Sequence, residues 1–127
     1  MLTVRSQRDF DNLLTMVGDA AVVLFISSSS CAASERSRSY FLECAANPQY
    51  SWATFAEATL EDAELPFIKS RNVTATPTFQ FIWLNRLLGA YAGNDDFALY
   101  SELNRVRAAL GVRPAELPPA EEEQEEY

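Results

Sequence analysis

Ala20-Ala-Val-Val-Leu-Phe-Ile-Ser-Ser-Ser-Ser-Cys-Ala-Ala-Ser34 is the stretch that decides the fold. Seven apolar residues rich in β-branched side chains stop at four consecutive serines, and one cysteine then opens the next segment. A short, continuous apolar run bounded by polar residues predicts a strand buried on both faces, here Ala21 to Ser27. The following residues predict a helix from about Ala32 to Ala46. Cys31 therefore falls where unpaired N–H groups and the positive end of the helix dipole favour thiolate over thiol. A free cysteine is more often a small buried hydrophobe, and that reading stands beside the reactive one.

A second stretch, Val73-Thr-Ala-Thr-Pro-Thr-Phe-Gln-Phe-Ile82, sets a proline directly before an alternating aromatic strand. Proline cannot donate to a sheet ladder, so Pro77 belongs at a strand's first residue or on an edge. Together the two stretches resemble the thioredoxin family, in which W-C-G-P-C follows a central strand and V-x-x-x-P-T-F carries a cis-proline across from it. The matching letters are Val22-Val23, Cys31, Val73, Pro77, Thr78, Phe79 and Phe81, with Gly93 where the family places a glycine after its last strand. The likeness spans about residues 3–110. It implies an α/β thioredoxin fold, a mixed central sheet with helices on both faces. It also implies a cis Thr76–Pro77 bond, Cys31 as nucleophile, Pro77 shaping a substrate groove, and Ser30, Ala32, Ala33 and Thr76 around it.

The departures from the family pattern bear on chemistry. Dithiol reduction needs a thiolate to attack the substrate disulfide and a second thiol to release the mixed disulfide. The resemblance puts that resolving position at Ser34, whose hydroxyl cannot take the thiolate's place. Cys44 cannot substitute from the same helix, because thirteen residues at 1.5 Å rise put it about 20 Å away, against the ~7 Å limit between disulfide-linked Cα atoms. The family's tryptophan before the cysteine is Ser30, and its Gly-Pro is Ala32-Ala33. Its buried strand aspartate is absent: Phe25 or Leu24 stands there, depending on the alignment, and neither relays a proton. Arg36 and Arg38 would lower the Cys31 pKa and Glu35 would oppose them. The serines Ser27 to Ser30 read as a polar loop, with hydroxyl bonds to the sulfur or phosphorylation as alternatives.

Along the rest of the chain, Leu2 to Val4 predicts a first strand and Ser6 an N-cap. Phe10, Leu13, Leu14 and Val17 recur at helical spacing, and Gly18-Asp19 ends that helix. In the second helix Phe41, Cys44 and Ala45 predict a core-facing stripe, with Glu35, Arg36 and Arg38 toward solvent. Gln49 to Ala58 alternates as a strand, and Glu61 to Arg71 predicts a short helix with Pro66 in its first turn. Thr78 to Trp83 and Leu87 to Tyr91 flank a Leu84-Asn85-Arg86 turn. Asn94 caps a last helix bearing Leu99, Leu103, Val106 and Leu110, closed by Gly111. The order is βαβαβαββα.

At 127 residues the chain holds one domain, 1–111, with an acidic tail at 112–127. Two cysteines and no histidine exclude the usual zinc and haem sites, and the C-G-F-S motif of cluster-binding monothiol glutaredoxins is not matched, so no cofactor is expected. The net charge of −8 argues against a nucleic-acid partner. No leader and no apolar run long enough to span a bilayer are present, so a cytoplasmic protein is expected.

Two functions follow. The first is monothiol disulfide exchange, Cys31 forming a mixed disulfide with a protein or with glutathione. The second is a redox-inactive adaptor that binds protein partners through the groove or the tail. The tail's proline-broken acidic composition predicts disorder. Its ending Glu125-Glu126-Tyr127 resembles the C-terminus of α-tubulin, which implies recognition by CAP-Gly domains and by enzymes that remove or restore the terminal tyrosine.

Overall fold

The computed structural model describes residues 2–111; the expectations for Glu125, Glu126 and Tyr127 lie outside the described residues. In chain order come β1 (Leu2–Thr3), α1 (Gln7–Val17), β2 (Ala21–Ser27), α2 (Ala32–Ala46), β3 (Ala53–Thr59), α3 (Leu65–Ser70), β4 (Thr78–Trp83), β5 (Arg86–Ala92) and α4 (Asp96–Ala109). The expected alternation is present. The strands form one sheet in the order β1-β3-β2-β4-β5. β3 runs parallel to both β1 and β2, β4 runs antiparallel to β2, and β5 pairs antiparallel with β4.

β2 lies at the centre, and all seven of its residues are buried. Successive strand residues point to opposite faces, so β2 supplies two cores. Val22, Leu24 and Ile26 meet Phe10 and Leu13 of α1 and Phe67 and Ile68 of α3. Val23 and Phe25 meet Phe41 of α2 and Leu99, Leu103 and Val106 of α4. Phe25 sits between Phe41 and Phe79, with ring centroids 4.9 Å from each. Burying a side chain of this size is worth about 1.5–3 kcal/mol, and the cavity left by Phe25→Ala would raise the cost to about 3–5 kcal/mol.

Several local expectations are corrected. The strand predicted from Gln49 starts at Ala53, because Pro48–Tyr50 form a 3₁₀ turn capped by Asn47, whose Oδ1 accepts from Gln49 N–H at 2.9 Å. Tyr50 is thereby turned inward to stack on Tyr100. On α2 the buried stripe is Ser34, Ser37, Phe41 and Cys44, while Ala45 is exposed. Arg38 does not face solvent but turns inward to Glu57. The helix predicted from Glu61 begins at Leu65, because Thr59 C=O accepts from Asp62 and Ala63 N–H and closes a turn first. The β4–β5 turn is only Leu84-Asn85, both at positive φ, and Arg86 belongs to β5. Asp95, not Asn94, caps α4, its Oδ1 accepting from Phe97 N–H at 3.0 Å. With its amide oxygen turned to the donors, Asn94 accepts instead from Arg36 Nη2 at 2.9 Å.

Candidate functional site

Cys31 is the N-cap of α2, at the point where the chain leaves the carboxyl end of the central strand. It is partly exposed. Its N–H donates to Ser28 C=O at 3.1 Å, and its own C=O accepts from Glu35 N–H at 3.2 Å. The thiol points across the sheet end to Thr76 C=O, with Sγ 3.7 Å from the oxygen. The Thr76–Pro77 bond is cis, Pro77 is buried, and its C=O accepts from Gly93 N–H at 3.0 Å. The β2–α2 junction and the start of β4 thus bring Cys31, Thr76 and Pro77 together, although 45 residues separate the cysteine from Thr76.

Ser34 is fully buried under the first turn of α2, and its Oγ accepts from Ser28 N–H at 3.1 Å. Ser30 and Ala32 are exposed and Ala33 is half-buried. The Cys31 pKa lies below its ordinary value. The Ser34 side chain is the largest cause, followed by the Ser34 amide and the Thr76 side chain, with partial desolvation opposing them. The thiol side chain makes no cap hydrogen bond of its own. The first-turn amides act on its anion instead, as expected at a helix N-terminus.

Cys44 lies elsewhere on α2, buried and free, and burial pushes its thiol up to about 12. Next to Thr76 a cleft of about 280 Å³ is lined by Leu60, Ile68, Val73, Thr74, Ala75 and Thr76. The cleft is mostly apolar and shares Thr76 with the Cys31 corner, but Cys31, Pro77, Ser30, Ala32 and Ala33 do not line it.

Two polar groups near the site escaped sequence reasoning. Glu57 on β3 lies beneath α2, accepting from Ser27 Oγ at 2.7 Å and paired with Arg38. The available signal was its position: Phe55 and Glu57 share a strand face, and Phe55 is a core residue. Glu61, after β3, accepts from Ser28 Oγ at 2.6 Å and from Ser29 N–H at 2.9 Å. No local spacing marks it, because its partners lie more than 30 residues away.

Solved thioredoxins share this architecture. Thioredoxin of Fasciola hepatica superposes with a TM-score of 0.76 at 19% identity, covering 83% of this chain and 98% of that one. The germline-specific thioredoxin Deadhead of Drosophila melanogaster gives 0.73 at 23% identity, covering 84% and 99%. Thioredoxin f2, solved in complex with ferredoxin:thioredoxin reductase, gives 0.76 at 20% identity, covering 84% and 94%. No family model matches the sequence, and no curated protein does. The chain has the thioredoxin fold. Among the described residues, no helix is long and apolar enough to cross a membrane.

Proposed function

We propose that the protein is a monothiol thiol–disulfide exchange protein with Cys31 as its nucleophile. The observation that carries this reading is the partly exposed Cys31 sulfur at the N-terminus of α2, facing Thr76 and Pro77 and supported by the buried Ser34. The Cys31 thiolate attacks one sulfur of a disulfide R–S–S–R′, forming Cys31–S–S–R and releasing R′–S⁻. With serine at position 34 no internal thiol releases R. An external thiolate such as glutathione attacks the mixed disulfide, frees the Cys31 thiolate and leaves with R as a second mixed disulfide. In this reading Thr76 and Pro77 shape the groove in which R lies, and Ser30, Ala32 and Ala33 contribute to it. Thioredoxin f2 engages its reductase as a protein partner, and a protein disulfide is the matching substrate class here.

The test has two parts. Iodoacetamide labelling of Cys31 against pH should give a midpoint below the ordinary thiol value of about 8.5, and glutathione disulfide should yield a single Cys31–glutathione adduct. Insulin reduction with thioredoxin reductase as donor should fail for want of a resolving thiol. An ordinary midpoint without adduct formation leaves the adaptor reading, in which the groove binds a partner without chemistry. Robust insulin turnover would show that release proceeds without a second thiol in the site.

A further inference from the structure

We infer that Glu61 and Ser28 are positioning residues for Cys31: the Glu61 carboxylate clamps the serine loop, and Ser28 passes that restraint to Ser34 and the cysteine. The inference rests on the exchange reading above and deepens it.

The geometry converges on one residue. Ser28 is 5% exposed, and all three of its polar groups are engaged. Its hydroxyl donates to Glu61 Oε2 at 2.6 Å and accepts from Ser30 N–H at 3.3 Å. Its C=O accepts from Cys31 N–H at 3.1 Å. Its N–H donates to Ser34 Oγ at 3.1 Å. The other oxygen of Glu61 accepts from Ser29 N–H at 2.9 Å, so the carboxylate grips the loop at two consecutive residues. Leu60 N–H donates to Ser27 C=O at 2.9 Å, which ties the Glu61 segment to the root of the same loop.

The consequence for the sulfur follows from the sense of these bonds. Ser28 C=O accepts from Cys31 N–H and Ser28 N–H donates to Ser34 Oγ, so the clamp fixes the backbone that sets the Cys31 sulfur at the N-terminus of α2, where the first-turn amides favour the thiolate. Without the clamp, the Ser28 bonds no longer hold Cys31 N–H and Ser34 in register, and the sulfur is less firmly set over the first-turn amides. A tryptophan before the cysteine would brace such a loop by packing; here Ser30 is exposed and the restraint is a carboxylate. Serine loops bonded only to water would lack it.

The sign of one measurement separates this role from a purely electrostatic one. A carboxylate acting only through its charge raises the Cys31 pKa, so Glu61→Gln would lower the labelling midpoint and Ser28→Ala would leave it unchanged. A clamp predicts the reverse. Glu61→Gln and Ser28→Ala should each raise the midpoint by about half a pH unit, slowing labelling at pH 7 about threefold. The double variant should go no further than the larger single effect, because both act through one chain of bonds. The other charged side chains nearby, Glu35 and Arg36 on α2 and Asp62 beside Glu61, stay in place in every variant. A midpoint that falls or stays in Glu61→Gln, or additive effects in the double variant, overturns the clamp. Should Glu61→Gln not fold, Ser28→Ala alone decides, a rise supporting the clamp and no change overturning it. An ordinary midpoint in the wild-type protein instead overturns the exchange reading, and the clamp with it.

Discussion

Arg38 of α2 reaches beneath its own helix to form an ion pair with Glu57 of β3. The Glu57 side chain is 9% exposed and that of Arg38 28%. Glu57 also accepts from Ser27 Oγ, and the Arg38 guanidinium lies 5.8 Å from the centre of the Phe25 ring. The helix that begins at Cys31 is thus tied to the sheet by a charged pair as well as by Phe41 and Cys44.

Removing either partner leaves the other uncompensated, and the less exposed group is left worse off. Arg38→Met should therefore destabilise the protein by about 3–5 kcal/mol in urea titration. Glu57→Gln should cost less, because the guanidinium also reaches Glu35, at 3.3 Å, and can turn its head to water. Equal losses would mean that the pair contributes through packing alone. Arg38→Met combined with Glu57→Leu should recover most of the stability, since a well-packed apolar pair replaces a buried ionic one at little cost.

Glu61 gives the fold an acid-sensitive contact. Hydrogen bonds from Ser28 Oγ, then from Ser29 N–H, hold its carboxyl down at about 2. The unfolded chain binds this proton near pH 4.3. The folded-state pKa is depressed, so the contribution is complete above about pH 4–5 and is lost as pH falls toward 2. The melting-temperature difference between wild type and Glu61→Gln should accordingly be constant from pH 7 to about 5 and shrink below it. A difference that does not change down to pH 2 would show that the carboxylate makes no net contribution.

The two cysteines should separate cleanly by reactivity. Burial pushes Cys44 up to about 12, with a hydrogen bond to Tyr100 opposing the rise, whereas Cys31 is lowered. Ellman's reagent at pH 8 should titrate one thiol in the native protein and two in guanidinium. Cys31→Ser should abolish the native signal and Cys44→Ala should leave it intact. Rapid native labelling of Cys44 would show that α2 opens from the sheet.

The parts of this architecture legible in sequence are those set by local pattern. The continuous run Ala21–Ser27 reads as a strand covered on both faces and is one, and Ser6 and Pro66 sit at helix starts as their chemistry requires. Cys31 and Pro77 could be paired only through resemblance, since nothing local joins residues so far apart. Failures cluster where a tertiary partner overrides local preference. Arg38 reads as solvent-facing until Glu57 is placed below it, and Gln49 to Trp52 alternates like a strand although Asn47 and Pro48 turn the chain there. The serine loop reads as bland until Glu61 arrives from beyond β3.

Gly93 stands at the rim of the site, and its replacement should be costly for a local reason. Its φ of +147° is one that L residues rarely adopt, and an added Cβ would lie 2.6 Å from the Tyr91 hydroxyl oxygen. That hydroxyl accepts from Asp95 N–H at 3.0 Å, at the cap of α4, while Gly93 N–H donates to Pro77 C=O. Gly93→Ala therefore carries two penalties, backbone strain of about 1–3 kcal/mol and displacement of Tyr91 from the α4 cap. Tyr91→Phe removes the nearest clashing atom and leaves Asp95 N–H to water, so on that background Gly93→Ala should cost the strain and only a small shift of the ring, whose Cζ would still lie 3.0 Å from the new Cβ. The expected result is a coupled pair, with the double variant more stable than the sum of the single losses implies. Additive losses in thermal unfolding would place the whole penalty in the backbone and none in the Tyr91 contact.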